Sequence, residues 1–167
     1  MTSRPILVVT ALAVASLASA GLGTATASAT KTCTWAGTPA EPTGTFTLDP
    51  GITNVPSAGP LKFKATGRLG GECAGTLTYN GQFDAGANCA FSEAEGTVSG
   101  LRGVARFWGK GGYLFPALLY DSAGNVVGSE NAQILTEANR AHTTDCSTPE
   151  GFTGGYPGMF SSVIELF

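Results

Sequence analysis

The sequence predicts an all-β fold, an antiparallel β-sandwich of about ten short strands held by two disulfides. Three observations carry this. Charged residues make up only 13% of the 167 residues while glycine alone contributes 24, a composition poor for long amphipathic helices and suited to short strands with tight turns. Apolar residues recur with period two and nowhere with the period of a helix. Four cysteines, Cys33, Cys73, Cys89 and Cys146, all follow an export-type N-terminus, and an even count in an oxidising compartment reads as two disulfides. A small closed β-barrel is the alternative that the same pattern allows.

The N-terminus reads as a signal peptide. Arg4 supplies a short positive region, Ile6 to Leu22 carry no charge, and Ala27-Ser28-Ala29 forms an A-x-A cleavage site. Cutting at Ala18-Ser19-Ala20 would truncate the apolar core. A retained spanning helix would need ~20 apolar residues, and this run is shorter and alanine-rich. No twin arginine precedes the run, and Cys33 lacks the small-residue context of a lipid attachment site. Residues 1–29 are therefore expected to be cleaved, leaving 30–167 as one secreted β domain, monomeric and free of the membrane. The net charge of −3 argues against a nucleic-acid partner, which would call for a basic footprint.

Strands follow in order. Thr45-Phe46-Thr47-Leu48 alternates before an Asp49-Pro50-Gly51 turn, and Leu61, Phe63 and Ala65 share a face opposite Lys62 and Lys64. Cys73 to Tyr79 ends in Asn80-Gly81, a strong local hairpin signal because both residues tolerate positive φ. A two-residue loop there leaves Cys73 opposite Asn88. A one-residue shift, through a bulge at Gly86 or a longer loop, sets Cys73 opposite Cys89 and brings Tyr79 and Phe83 onto one face. Of the three possible connectivities this favours Cys73–Cys89 with Cys33–Cys146.

Further strands are predicted at Gly96–Leu101, Val104–Trp108, Tyr113–Tyr120, Asn125–Gly128, Ala132–Glu137 and Met159–Leu166. Asp121-Ser122-Ala123-Gly124 is a turn, and 138–158 reads as one long loop pinned by Cys146. The last strand should point Phe160, Ile164 and Leu166 inward and Ser161 and Glu165 outward. A transmembrane barrel is not expected, since lipid-facing alternation would have to persist through ~9–11 residues per strand.

Catalytic motifs are scarce. Gly103 to Gly111 is one residue too long for a phosphate loop and has Gly111 where Ser or Thr must reach magnesium. His142, the single histidine, lies in a polar stretch without a G-x-S-x-G elbow elsewhere to raise a nucleophile. Neither a C-x-x-C pair nor a calcium loop is present, so no metal or cofactor is expected. Glu93 and Glu95 share a strand face but lack an evident sugar platform. The parity of Val104–Trp108 puts Ala105 and Phe107 on one face and Arg106 and Trp108 on the other. With Phe107 inward, Arg106, Trp108 and Lys110 form an exposed basic-aromatic edge, with Tyr113 following, and Arg and Trp are enriched at recognition hot spots. These four are the candidate binding residues.

Thr32-Cys33-Thr34-Trp35, Thr45 to Gly51, Gly71-Glu72-Cys73 and Gly124 to Gly128 resemble segments of small exported actinomycete proteins, Gly/Thr/Ala-rich β-sandwiches that as a group have no assigned activity. In export, acidity, two disulfides and sandwich fold the chain is also similar to the enediyne-binding apoproteins of the neocarzinostatin type. Cys73 and Cys89 are further apart than that family's first pair and its closely spaced second pair is missing, so no binding residue is carried over. The expected function is a non-enzymatic binding module for a small molecule, a cell-wall component or an extracellular protein. The alternatives are a small hydrolase using His142 with Asp145 or a nearby carboxylate, and a protease inhibitor presenting Gly151–Gly158.

Overall fold

The computed structural model describes residues 29–134 and 144–167. Among them ten strands succeed one another: β1 (Lys31–Trp35), β2 (Thr45–Ile52), β3 (Leu61–Gly71), β4 (Thr76–Phe83), β5 (Ser92–Ser99), β6 (Arg106–Gly111), β7 (Leu114–Tyr120), β8 (Val126–Ile134), β9 (Phe152–Gly154) and β10 (Phe160–Leu166). The all-β prediction stands. Neighbours pair in the order β1-β10-β8-β7-β6-β5-β4-β3-β2-β9, and β1 pairs in addition with β3. That last pairing closes eight strands into a barrel, the alternative form of the predicted fold. Its opposed walls meet across one filled core, as the sheets of a sandwich would.

The closure depends on the length of β3. One edge of this strand serves β2 from Lys62 to Thr66 and then β1 from Leu69 to Gly71. Period-two patterning drives the rest. Along β3, Leu61, Phe63, Ala65 and Leu69 are buried while Lys62, Lys64 and Arg68 are exposed. The core inside is aromatic: Tyr79 stacks on Phe107 at 4.6 Å, Trp35 meets Tyr79 and Phe160 at the same separation, and Phe63 meets Phe83 at 4.8 Å. Phe46, Leu48 and Ile52 of β2 and Phe152 of β9 join the same cluster.

Several expectations need correction. The predicted Asp49-Pro50-Gly51 turn lies within β2, which runs on to Ile52 and pairs there with Phe152 of β9. Asn80-Gly81 is not a turn but the middle of β4, paired with both β3 and β5. Gly81 is there because the rings of Phe63 and Phe107 cross against it. A Cβ at Gly81 would lie 2.8 Å from each ring. The turns lie instead at 72–75 and 84–91, where Gly75 and Gly86 hold the positive φ that glycine accepts freely.

The cysteine pairing changes with the register: the disulfides are Cys33–Cys73 and Cys89–Cys146. Cys73 lies in the turn before β4 and Cys89 in the loop after it, at opposite ends of the barrel. An eight-residue strand spans roughly 26 Å, far beyond the ~7 Å that a disulfide tolerates. Cys33–Cys73 staples the β1–β3 seam, and Cys89–Cys146 ties the β4–β5 loop to the segment preceding β9.

The predicted strands Asn125–Gly128 and Ala132–Glu137 are parts of one continuous strand, β8, which begins at Val126, and residues 135–137 lie outside the described residues. Finally, 31–35 and 152–154 form strands where none was expected, the second inside the anticipated long loop. Ser161 faces outward on β10 as predicted, yet it is covered and only 1% exposed.

The Asp121 turn is built as its sequence implies. Asp121 Oδ1 accepts from the backbone N–H groups of Ala123 and Asn125, and Gly124 takes a φ of 88°. The Asn125 side chain donates to Oδ2, and this bond and the backbone donors hold the Asp121 carboxyl below its ordinary range.

Gly96, opposite Gly81, leaves no room in the wall for a side chain. A Cβ there would meet the Asn80 carbonyl, approach Gly81 Cα at 2.5 Å and the Phe107 ring at 2.7 Å. Gly96→Ala should cost about 1–3 kcal/mol through overpacking. Urea denaturation checks this, and an unchanged midpoint would show that the wall is less tightly filled than described.

Candidate functional site

The outer wall of β3–β7 is organised by register into two rows running across the strands. In the first, Lys64 faces Asn80, Asn80 faces Thr97, Thr97 faces Arg106 and Arg106 faces Tyr120. In the second, Lys62, Gln82, Glu95, Trp108 and Leu118 succeed one another in the same way. With strands about 4.8 Å apart, each row is roughly 19 Å long, and the rows lie about 7 Å apart because every second residue shares a face. Between them runs an open groove of about 860 Å³, extended onto β2 by Thr47 and Asp49. Lys62, Lys64 and Arg106 outnumber Asp49 and Glu95 by one on this face of a chain whose net charge is negative.

Trp108 is the aromatic centre of the groove. Its indole Nε1 donates to Glu93 Oε1 at 3.0 Å, and the Lys110 ammonium sits 5.9 Å from the ring centroid. Arg106 lies over Tyr120 at 6.0 Å. Charge on either side thus fixes two planar rings with their faces partly open to solvent, by cation–π attraction and, for Trp108, a charge-assisted hydrogen bond. Phe107, between them in sequence, is 2% exposed and points into the core. Trp108 also lines a second, more apolar groove of about 740 Å³ over β6, β7, β8 and β10, with Leu114, Pro116, Leu118 and Val163.

Of the four candidate binding residues, Arg106, Trp108 and Lys110 are together on the outside of β6. Tyr113 is not with them. It lies beyond β6 at the barrel end, where its hydroxyl approaches Cys146 Sγ at 3.8 Å. Glu93 and Glu95 do share the outer face of β5, and register supplies the aromatic neighbour that their own sequence lacks, since Glu95 faces Trp108. His142 lies outside the described residues. The Gly151–Gly158 stretch contains β9, paired to β2, with Phe152 buried in the core. Sequence reasoning missed Lys62, Lys64, Asn80, Gln82 and Tyr120 as partners of Trp108. Their outward parity was readable for the lysines, but their juxtaposition depends on pairing between distant strands.

The barrel interior holds a second polar feature that went unnoticed in the sequence. Glu130 on β8 has the parity of Gly128 and Ala132 and therefore points inward, 5% exposed, among Trp35, Phe115 and Phe160. Burial raises its carboxyl pKa from 4.5 to about 7, held back by the approach of the Tyr79 and Ser162 hydroxyls. Burial and the nearby carboxylate in turn push the Tyr79 phenol well above its ordinary value. These approaches stay loose: Tyr79 Oη and Glu130 Oε1 have no partner at hydrogen-bond geometry among the described residues, and neither does Trp35 Nε1.

Among the described residues no group of three or more His, Cys, Asp or Glu side chains is placed to hold a metal ion, and no helix is long and apolar enough to cross a membrane. Comparison with protein-family models, with curated proteins and with solved structures finds no match to this chain.

Proposed function

We propose that this chain is an exported, non-enzymatic binding module whose site is the groove across β3–β7, and that its ligand is an extended polysaccharide of the cell wall or its surroundings. One observation carries the reading: two parallel rows of outward side chains combine planar rings with amides, hydroxyls and charges along roughly 19 Å of wall. A sugar chain presents apolar ring faces and a dense periphery of hydroxyls. Trp108 and Tyr120 offer stacking surfaces for the former, and Asn80, Gln82, Thr97 and Glu95 offer donors and acceptors for the latter. The excess of Lys and Arg in the groove favours a chain bearing carboxylate or phosphate groups. Export is supported by the leader-like residues 1–29 and by the two disulfides. Charged side chains on the outside of β3, β5, β6 and β10 favour a barrel that faces water.

The test is co-sedimentation with insoluble peptidoglycan–teichoic acid sacculi, chitin and cellulose, followed by titration with soluble fragments of whichever retains the protein. Retention on the sacculi is expected. Trp108→Ala should weaken binding by about 2 kcal/mol, roughly thirtyfold, with the far-UV spectrum and melting temperature unchanged. Absence of retention on all three polymers, or retention indifferent to both Trp108→Ala and Arg106→Ala, would remove the proposal.

A further inference from the structure

The interior feature around Glu130 is independent of the outer groove. A cavity of about 30 Å³ lies inside the barrel, enclosed by Trp35, Tyr79, Phe115, Glu130, Ala132 and Phe160 among others. Its walls are almost wholly apolar. Yet Tyr79 Oη and Glu130 Oε1, both fully buried, belong to side chains that line it and have no partner among the described residues. A water molecule needs about 10–15 Å³ of such space and two to four polar partners. Both conditions are met here. A buried hydroxyl and a buried carboxyl oxygen left unbonded would each cost more than the immobilisation of a water.

We infer that this cavity is an internal hydration site, holding one or two water molecules that bridge Tyr79 Oη and the Glu130 carboxyl inside the closed barrel. A larger ligand does not fit the volume. A metal ion is disfavoured because Glu130 is the single carboxylate lining the cavity. Tyr79 from β4 is the other titratable group there. β1, β3, β6, β7 and β10 contribute Trp35, Phe63, Ala65, Phe107, Phe115, Ala117 and Phe160, all uncharged. The bound water gives the carboxylate a solvation partner, so that it can ionise within the core instead of forcing the barrel open. Burial is consistent with a proton that stays on Glu130 up to about neutral pH.

The test uses the intact, disulfide-bonded protein and two readouts. In a high-resolution crystal structure at pH 5, solvent density should appear between Tyr79 Oη and Glu130, and xenon pressurisation should leave it unchanged. Xenon occupying the position would show a dry cavity and overturn the inference. So would a direct Tyr79–Glu130 hydrogen bond with no solvent density. In solution, a Trp108→Phe variant leaves Trp35 as the single reporter, since the chain has two tryptophans. Its emission should change as pH rises through about 7, and Glu130→Gln in that background should abolish the change. Persistence of the transition in the Glu130→Gln variant would assign it to another group and defeat the site.

Discussion

Glu130→Gln is expected to make the barrel more stable at pH 8 by about 3 kcal/mol, while changing it little at pH 4. The sign follows from proton linkage. In the folded state the Glu130 carboxyl keeps its proton up to about 7, whereas the unfolded chain releases it near 4.5. Below the lower value both states are protonated and pH has no effect through this group. Between the two values the folded state binds more protons than the unfolded one, so stability falls as pH rises. Above about 7 both are ionised and the loss is complete, amounting to roughly 1.4 kcal/mol per pH unit of separation. Glutamine matches the shape of the protonated acid and carries no charge at any pH, so the slope should vanish. Denaturant titrations of both proteins at pH 4, 6 and 8 measure the effect, and the difference between them cancels every other titrating group. Equal pH slopes would mean that Glu130 is better solvated than its burial implies. The Asp121 carboxyl, held below its ordinary range, acts in the opposite sense, losing its stabilising contribution only as pH falls into the acid range.

Removing either disulfide should destabilise the protein by about 4 kcal/mol on the chain-entropy model, before any loss of packing. The paired cysteines are 40 residues apart for Cys33–Cys73 and 57 for Cys89–Cys146, so the two losses should be similar in size. Their structural consequences should differ. Cys33→Ala with Cys73→Ala unpins a seam made of three register pairs, Cys33 to Gly71, Thr34 to Gly70 and Trp35 to Leu69. Amide exchange should then accelerate first in β1 and at the end of β3. Cys89→Ala with Cys146→Ala releases the segment before β9 and should expose Ile52 and Phe152 at the barrel end, leaving the seam protected. Peptide mapping without reductant checks the connectivity itself. A Cys73–Cys89 peptide would contradict the register of β4 as well as the pairing. Full retention of stability in either double variant would mean that the unfolded chain is already restrained near that closure.

Period-two patterning was sufficient for most of the wall. Leu61 to Ala65, Arg106 to Trp108 and Phe160 to Leu166 point the way their alternation demands, because a residue's face depends on nothing beyond its own strand. Val104, which precedes β6, is buried against its predicted parity. The Asp121 turn was legible for the same reason: its hydrogen bonds run within the five residues Asp121 to Asn125. Arg106, Trp108 and Lys110 could accordingly be placed on an outer face before the rest of the fold was known. What lies beside them could not. Lys64, Asn80, Thr97 and Tyr120 reach the same row as Arg106 through pairings between successive strands, and those registers depend on the whole barrel closing.

Asn80-Gly81 shows the competition most directly. Locally it favours a hairpin, but in the barrel Gly81 sits under Phe63 and Phe107, two rings brought there by other strands, and packing outweighs the local preference. The cysteine pairing failed with it, since one wrong turn moved Cys73 from one end of the barrel to the other. Glu130 is the same lesson in reverse. Its inward parity was present in the sequence beside Gly128 and Ala132, but its burial was decided only when β10 and β1 closed the wall around it. Fold class, strand faces and local turns are short-range properties written in a few consecutive residues. Closure, disulfide partners and the neighbours of each site residue are long-range, and the energy that selects them comes from burying side chains supplied by the entire chain.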